Sequence, residues 1–283
     1  MKEPFQIEWM GGHAERHFRR VRPGVDDLPW GTVVTSKYPL VAVNYARAAW
    51  TEVAINEYRA AASFTEVLRA LIDIKAPLDL IGMASDFLVD ECSHVEMASR
   101  LAMELGGNVE RVVDMDNFAR RPRGLTALQR ANELVLRVSS VAEAFLGGTA
   151  AATRESTSHP LTRAVYESML RDEARHQDLA KLYFEWAIDR LDDFELKRLG
   201  AVLLDALREL DPVWKPHALS AKANLPVDAL HALGWLEPAR FAPVARDVVV
   251  RDILEPLARI GIVISKGDRE ALLAFDTDPP AGL

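Results

Sequence analysis

The chain has 283 residues, 49% of them hydrophobic, with 42 acidic against 34 basic side chains and one cysteine, Cys92. That is a globular composition large enough for a substantial core, and its net charge of -8 offers no electrostatic attraction to nucleic acid or anionic lipid. A single cysteine excludes an internal disulfide framework, a cysteine-ligated zinc site and an iron–sulfur cluster within one chain. It fits a reducing cytoplasm. No stretch reaches the roughly 18 continuous apolar residues of a membrane span, so a soluble cytoplasmic protein is expected.

Residues 1–39 carry Pro4, Pro23, Pro29 and Pro39 with Gly11, Gly12, Gly24 and Gly31. This density of breakers predicts an irregular leader lying on the main body. Its Trp9, Trp30 and the basic cluster Arg16, Arg19, Arg20 and Arg22 read as a solvated surface with aromatic anchors. From about Leu40 to Asp73, Val43, Ala46, Trp50, Val53, Ala54, Ala61, Phe64, Leu68 and Leu71 recur at three- and four-residue steps, marking one face of a long helix. Glu57 lies on that face, where an unpaired carboxylate would be very costly, so it is protonated, paired with a cation or bound to metal.

Pro77 opens a second helix over about 78–105, which Gly106 and Gly107 stop. A polar connection leads to Thr126 and Gln129, a capping-box pair, and a third helix to about Ser156. On it Glu143 is in register with inward Leu134, Val135, Val138 and Val141. After His159–Pro160 a fourth helix covers about 161–190. The second and fourth helices share the pattern D-E-x-x-H-x-acid-apolar-A, as Asp90–Ala98 and Asp172–Ala180. With Asp and Glu each near 6% of residues, two such D-E-x-x-H matches arise by chance only a few times in ten thousand, roughly.

On a helix, a Glu and a His three residues apart lie on one face, so each copy offers a carboxylate and an imidazole to a metal ion. Counted from the turns at about 1.5 Å per residue, Glu57, Glu91, Glu143 and Glu173 fall at one level of an antiparallel four-helix bundle. Six ligands emerge: Glu57, Glu91, His94, Glu143, Glu173 and His176. This oxygen and nitrogen donor set suits iron or manganese, and two of the Glu can bridge a pair of ions. Beyond 193 comes a further amphipathic helix with Leu199, Leu203, Ala206, Leu207 and Leu210 inward. Shorter helices broken by prolines and a polar tail follow. The expected organisation is a leader over 1–39, a bundle over 40–192 and additional helices over 193–283 that belong to the same domain. His217 and His231 lack partners at ligand spacing and read as surface or packing residues, and Cys92 as packing.

One Glu from each of two helices and Glu-x-x-His from each of the others resembles the ferritin-like di-iron carboxylate superfamily, over about residues 40–190. The acid preceding each Glu-x-x-His is similar to the pattern of its oxygen-activating members, such as ribonucleotide reductase small subunits and bacterial multicomponent monooxygenases. That resemblance implies an all-α fold and two iron ions, or a manganese–iron pair. It also implies Asp90 and Asp172 as acceptors for the second-nitrogen protons of the ligand histidines.

Small residues near the ligands, namely Ala61, Ala98, Gly147, Ala150 and Ala180, leave volume for dioxygen and a substrate, or else serve close helix packing. Gly147, four residues after Glu143, looks like para-aminobenzoate N-oxygenases; where those enzymes carry an additional metal-binding His, this chain has Met169. The leading expectation is a di-iron oxidase or oxygenase acting on a small organic substrate beside Gly147, with O2 and an external electron donor, as a homodimer or a monomer. A ferroxidase or iron-storage protein without organic substrate is the alternative. Trp50, Tyr166 and Tyr183 are candidates for a radical site or electron relay, with core packing as the competing reading.

Overall fold

The computed structural model describes residues 2–219 and 226–274. Helix α2 (Leu40–Asp73) runs along α3 (Leu78–Glu104), α3 meets α6 (Pro160–Ala187), and α6 packs on the segment built from α4 (Ala127–Val135) and α5 (Ala144–Ser156), whose first half closes against α2. These four long elements are the helices that the apolar periodicity predicts, and they form a four-helix bundle. Their ends follow local chemistry. Gly106 and Gly107, at φ 108° and 103°, return N–H groups to the carbonyls of Met103 and Ala102 and so finish α3. Thr126 and Gln129 form the expected capping box at the start of α4. His159 caps α6 by accepting the N–H of Leu161 on Nδ1, ahead of Pro160.

The third helix departs from the regular helix expected of it. Between α4 and α5, Leu136–Glu143 winds as a π-helix, in which each N–H reaches one residue further back. The segment ends on Glu143, so the ligand candidate sits where the helix is overfilled by part of a turn. The whole of 127–156 is long and apolar enough to cross a membrane by composition, but two thirds of its most apolar window (67%) is buried inside the protein.

The leader is not irregular throughout. Its prolines and Gly24 fall outside residues 12–21, which form α1 (Gly12–Val21) despite Gly12 at its first position. Strand β1 (Lys2–Pro4) pairs antiparallel with β2 (Val112–Asp114) of the long α3–α4 connection. Arg19 and Arg22 of the basic cluster do not lie on a solvated face: Arg19 donates to Glu96 at 2.6 Å and Arg22 to the fully buried Asp90 at 2.5 Å.

The chain continues through α7 (Asp193–Leu219), α8 (Val227–Ala232), α9 (Pro238–Val248), a second π-helical stretch (Val249–Leu254), α10 (Glu255–Arg259) and α11 (Lys266–Leu273). Leu199, Leu203 and Leu207 of α7 and Val248, Ile253 and Leu257 share one apolar cluster with Phe64, Phe87 and Tyr183 of the bundle. A buried polar knot ties the same faces: Asn132 donates to Glu195 and accepts from Tyr183, and Arg198 bridges Glu195 and Glu133. The side chain of His217 and the polar tail from 275 onward lie outside the described residues; His231 pairs with Glu237 at 2.8 Å. Cys92 is exposed rather than packed.

Two glycines let these layers touch. A Cβ on Gly148 would stand 2.7 Å from Val248 Cγ1, and one on Gly200 would overlap the backbone carbonyl of Val263. Because a backbone carbonyl cannot swing away, Gly200→Ala should destabilise the protein by about 1–3 kcal/mol despite Ala's better helix propensity. Urea unfolding checks this, and a variant as stable as the parent would contradict the close packing of α7 on the 260s loop.

Candidate metal centre

The four bundle elements bring all six candidate ligands to one place. Glu57 arrives from α2, Glu91 and His94 from α3, Glu143 from the end of the π-helix, and Glu173 and His176 from α6. All are buried, with Glu91, His94 and His176 at 0% exposure. Their donor atoms form two overlapping groups, each within 4.8 Å: Glu57, Glu91, His94 and Glu173, and Glu91, Glu143, Glu173 and His176. Glu91 and Glu173 belong to both. Each group therefore has one imidazole and one carboxylate of its own and two carboxylates in common.

Both histidines present Nδ1 to the carboxylates. His94 Nδ1 lies 3.5 Å from Glu57 and from Glu173, and His176 Nδ1 lies 3.1 Å from Glu91 and from Glu143. Their Nε2 atoms turn outward to the acids preceding the motifs, with the partners exchanged between copies: Asp172 faces His94 at 3.3 Å, and Asp90 faces His176 at 3.4 Å. An acid on Nε2 fixes the proton there and leaves the Nδ1 lone pair for an ion. Arg175 holds the two acids together, donating to Asp172 at 2.7 Å and to Asp90 at 3.1 Å.

Electrostatics mark the cluster as built for cations. Burial, reinforced by the charge of Glu143, pushes the Glu91 carboxyl well above its usual range and that of Glu173 up to about 7. Burial alone would lower the His94 pKa, but the carboxylates of Asp172 and Glu57 beside the ring carry it well above normal. Asp90 goes the other way: burial opposes ionisation, yet His176, Arg22 and Arg175 outweigh it and hold the carboxyl low. Both oxygens of Glu91, Nδ1 of His94 and Oε2 of Glu173 are buried without a hydrogen-bond partner. Such unpaired donors converging on one point are costly unless an ion takes them up. Four carboxylates and two neutral imidazoles would be neutralised by two divalent ions.

Two cavities reach this centre. One of about 530 Å³ touches Glu57 and Glu173 and is walled by Trp50, Phe145, Ala150, Tyr166 and Met169. The other, about 960 Å³, touches Glu143 and includes Arg59, Arg123 and Arg137. Asn56, Phe145 and Leu146 border both.

Of the five small residues expected to make room, only Ala150 lines a cavity at the ligands. Ala98 is fully buried in a core cluster, which close packing explains, and the space beside Gly147 is taken by the Gln177 amide rather than by a cavity. Ala180 borders a separate cavity of about 190 Å³, and Ala61 lines none of these. Trp50 and Tyr166 lie in ring contact at 5.3 Å, whereas Tyr183 donates to Asn132 within the other apolar cluster. Sequence reading missed Arg22 and Arg175. Arg175 fills a variable position of the repeat, and Arg22 sits in the leader, where only a long-range contact gives it meaning.

A family model described as P-aminobenzoate N-oxygenase AurF matches residues 43–214. No curated protein and no solved structure matches the chain significantly.

The Glu173 carboxyl keeps its proton to about pH 7 when folded, against an ordinary value of 4.5. The unfolded chain therefore releases that proton first, and the metal-free protein should lose stability as pH rises through this window. Because an ion must displace the same proton, apparent affinity for divalent metal should climb over the same range. Thermal melts of metal-free protein at about pH 5 and about pH 8 decide it; an equal or higher melting temperature at the alkaline end would contradict the assignment.

Proposed function

This chain belongs to the P-aminobenzoate N-oxygenase AurF family, di-iron oxygenases of the ferritin-like class, and on that premise we propose that it oxygenates a small, largely apolar organic molecule held in the cavity beside Glu57 and Glu173. Two iron ions would be held by the six side chains, with Glu91 and Glu173 shared between them. Bound iron supplies the capacity to reduce O2 and deliver oxidising equivalents, and an external donor returns the electrons.

The observation that carries the reading is the wall of the 530 Å³ cavity. Its volume suits a small ligand, and most of its wall is apolar or already paired, while Nε1 of Trp235 is buried without a partner. Trp50 donates to the carbonyl of Leu233, Tyr166 to that of Gly234, and Thr149 and Thr153 to carbonyls one turn back. A molecule seated there meets aromatic faces, Met169 and Ala150, with Glu57 and Glu173 as the polar end of the chamber. Apolar contact and shape would orient it, and the surrounding side chains would keep water from the reacting end. Met169 occupies the place where the para-aminobenzoate enzymes carry an additional metal-binding His, so six residues serve as ligands here.

A storage or ferroxidase role is the weaker reading, because a chamber walled mainly by aromatic and aliphatic side chains has no use in moving iron. Anaerobic loading with iron(II), followed by O2 in the presence of a panel of small aromatic amines and hydrocarbons, separates the two. The expected outcome is two irons per chain and a product carrying one added oxygen atom. Accumulation of a mineral core without product would refute the oxygenase. Ala150→Trp should retain both irons and reduce product formation at least tenfold, roughly; unaltered turnover would place the substrate elsewhere.

A further inference from the structure

We propose that Arg22, supplied by the segment that precedes the family-matched residues, is a positioning residue for the metal centre, acting through Asp90 on His176. Its Nε donates to Asp90 Oδ1 at 2.5 Å, while Nη2 reaches the side chain of Asp86 at 2.8 Å and its carbonyl at 3.0 Å. Nη1 donates to the carbonyl of Val21 at 3.0 Å. The guanidinium is thus fixed at three nitrogens where α1 ends, and it pins one oxygen of a carboxylate that is 0% exposed.

With Oδ1 occupied, Oδ2 is the oxygen left for Nε2 of His176 and for Arg175. Asp90 cannot rotate without breaking the Arg22 bond. The imidazole proton stays on Nε2, and Nδ1 stays aimed at Glu91 and Glu143. The counterpart at His94 is built differently. Asp172 is 22% exposed in its side chain, and its cationic partner is Arg175. The fold therefore gives the two histidines unequal support: one acid clamped from both sides, the other held from one. Removing Arg22 should disturb the His176 half of the centre and spare the His94 half.

The inference rests on the reading of these side chains as metal ligands, and the test separates the two. Anaerobic cobalt(II) titration of the full chain, followed by visible absorption, reports metal binding without turnover. Wild-type protein should bind two ions. Arg22→Met should weaken one of the two by roughly 10–100-fold, the usual cost of losing an outer partner of a ligand histidine, and leave the other in place. Arg22→Lys should recover part of the loss by restoring the charge without the fork. Arg19→Met, which loosens α1 from Glu96 without touching Asp90, should leave both steps unaltered. If Arg22→Met does not fold, Arg22→Lys carries the same comparison against Arg19→Met. Two intact binding steps in the Arg22 variants, or an equal loss in Arg19→Met, would overturn the role of Arg22 and leave the metal centre standing. A wild-type chain that takes up no cobalt would remove both.

Discussion

Four carboxylates buried at one level of an apolar bundle are the constraint on which the rest of this molecule depends. In a medium of low dielectric their mutual repulsion and lost hydration would far exceed what one helix–helix contact contributes. Glu91 is held above its ordinary pKa range and Glu173 is raised to about 7, which expresses that cost in the absence of compensating charge. Divalent cations remove it. A fold that concentrates such a penalty among Phe64, Phe87, Trp50 and Tyr166 needs a chemical return, and a buried centre able to hold metal is one.

Around that centre the polar groups are arranged in layers. The candidate ligand atoms converge, the imidazole Nε2 atoms face Asp90 and Asp172, and those acids are held by Arg175 and Arg22. The exchange of acids between the two motifs matters physically. Each histidine is oriented by the helix opposite its own, so the geometry of either half depends on α3 and α6 being docked together. The π-helical stretch ends on Glu143, and the glycines at 147 and 148 bring the same element close to its neighbours, since Cβ atoms there would meet the Gln177 amide and Val248.

Much of this was legible in the sequence because helical periodicity and ligand spacing are local. The boundaries of α2 and α3, the capping box at Thr126 and Gln129 and the convergence of Glu57 with Glu143 follow from steps of three and four residues. Three features did not. The leader's helix was hidden by Gly11, Gly12 and the prolines around it, although residues 13–21 contain neither type. The π-helix leaves no composition signature, because Leu136–Glu143 reads as ordinary helix until neighbouring elements set its winding. The use of the small residues was ambiguous by nature: Gly147 and Ala98 look like lost volume in one dimension, and only packing shows that Gln177 and core side chains fill it. Long-range partners such as Arg22 and Asp90, 68 positions apart, are beyond any pattern within one helix.

Crystals grown anaerobically with iron(II) and measured across the iron absorption edge decide whether these six side chains hold two metal ions. Two anomalous peaks are expected inside the bundle, one among Glu57, Glu91, His94 and Glu173 and the other among Glu91, Glu143, Glu173 and His176. A single peak, none, or iron bound away from these six side chains would contradict that assignment.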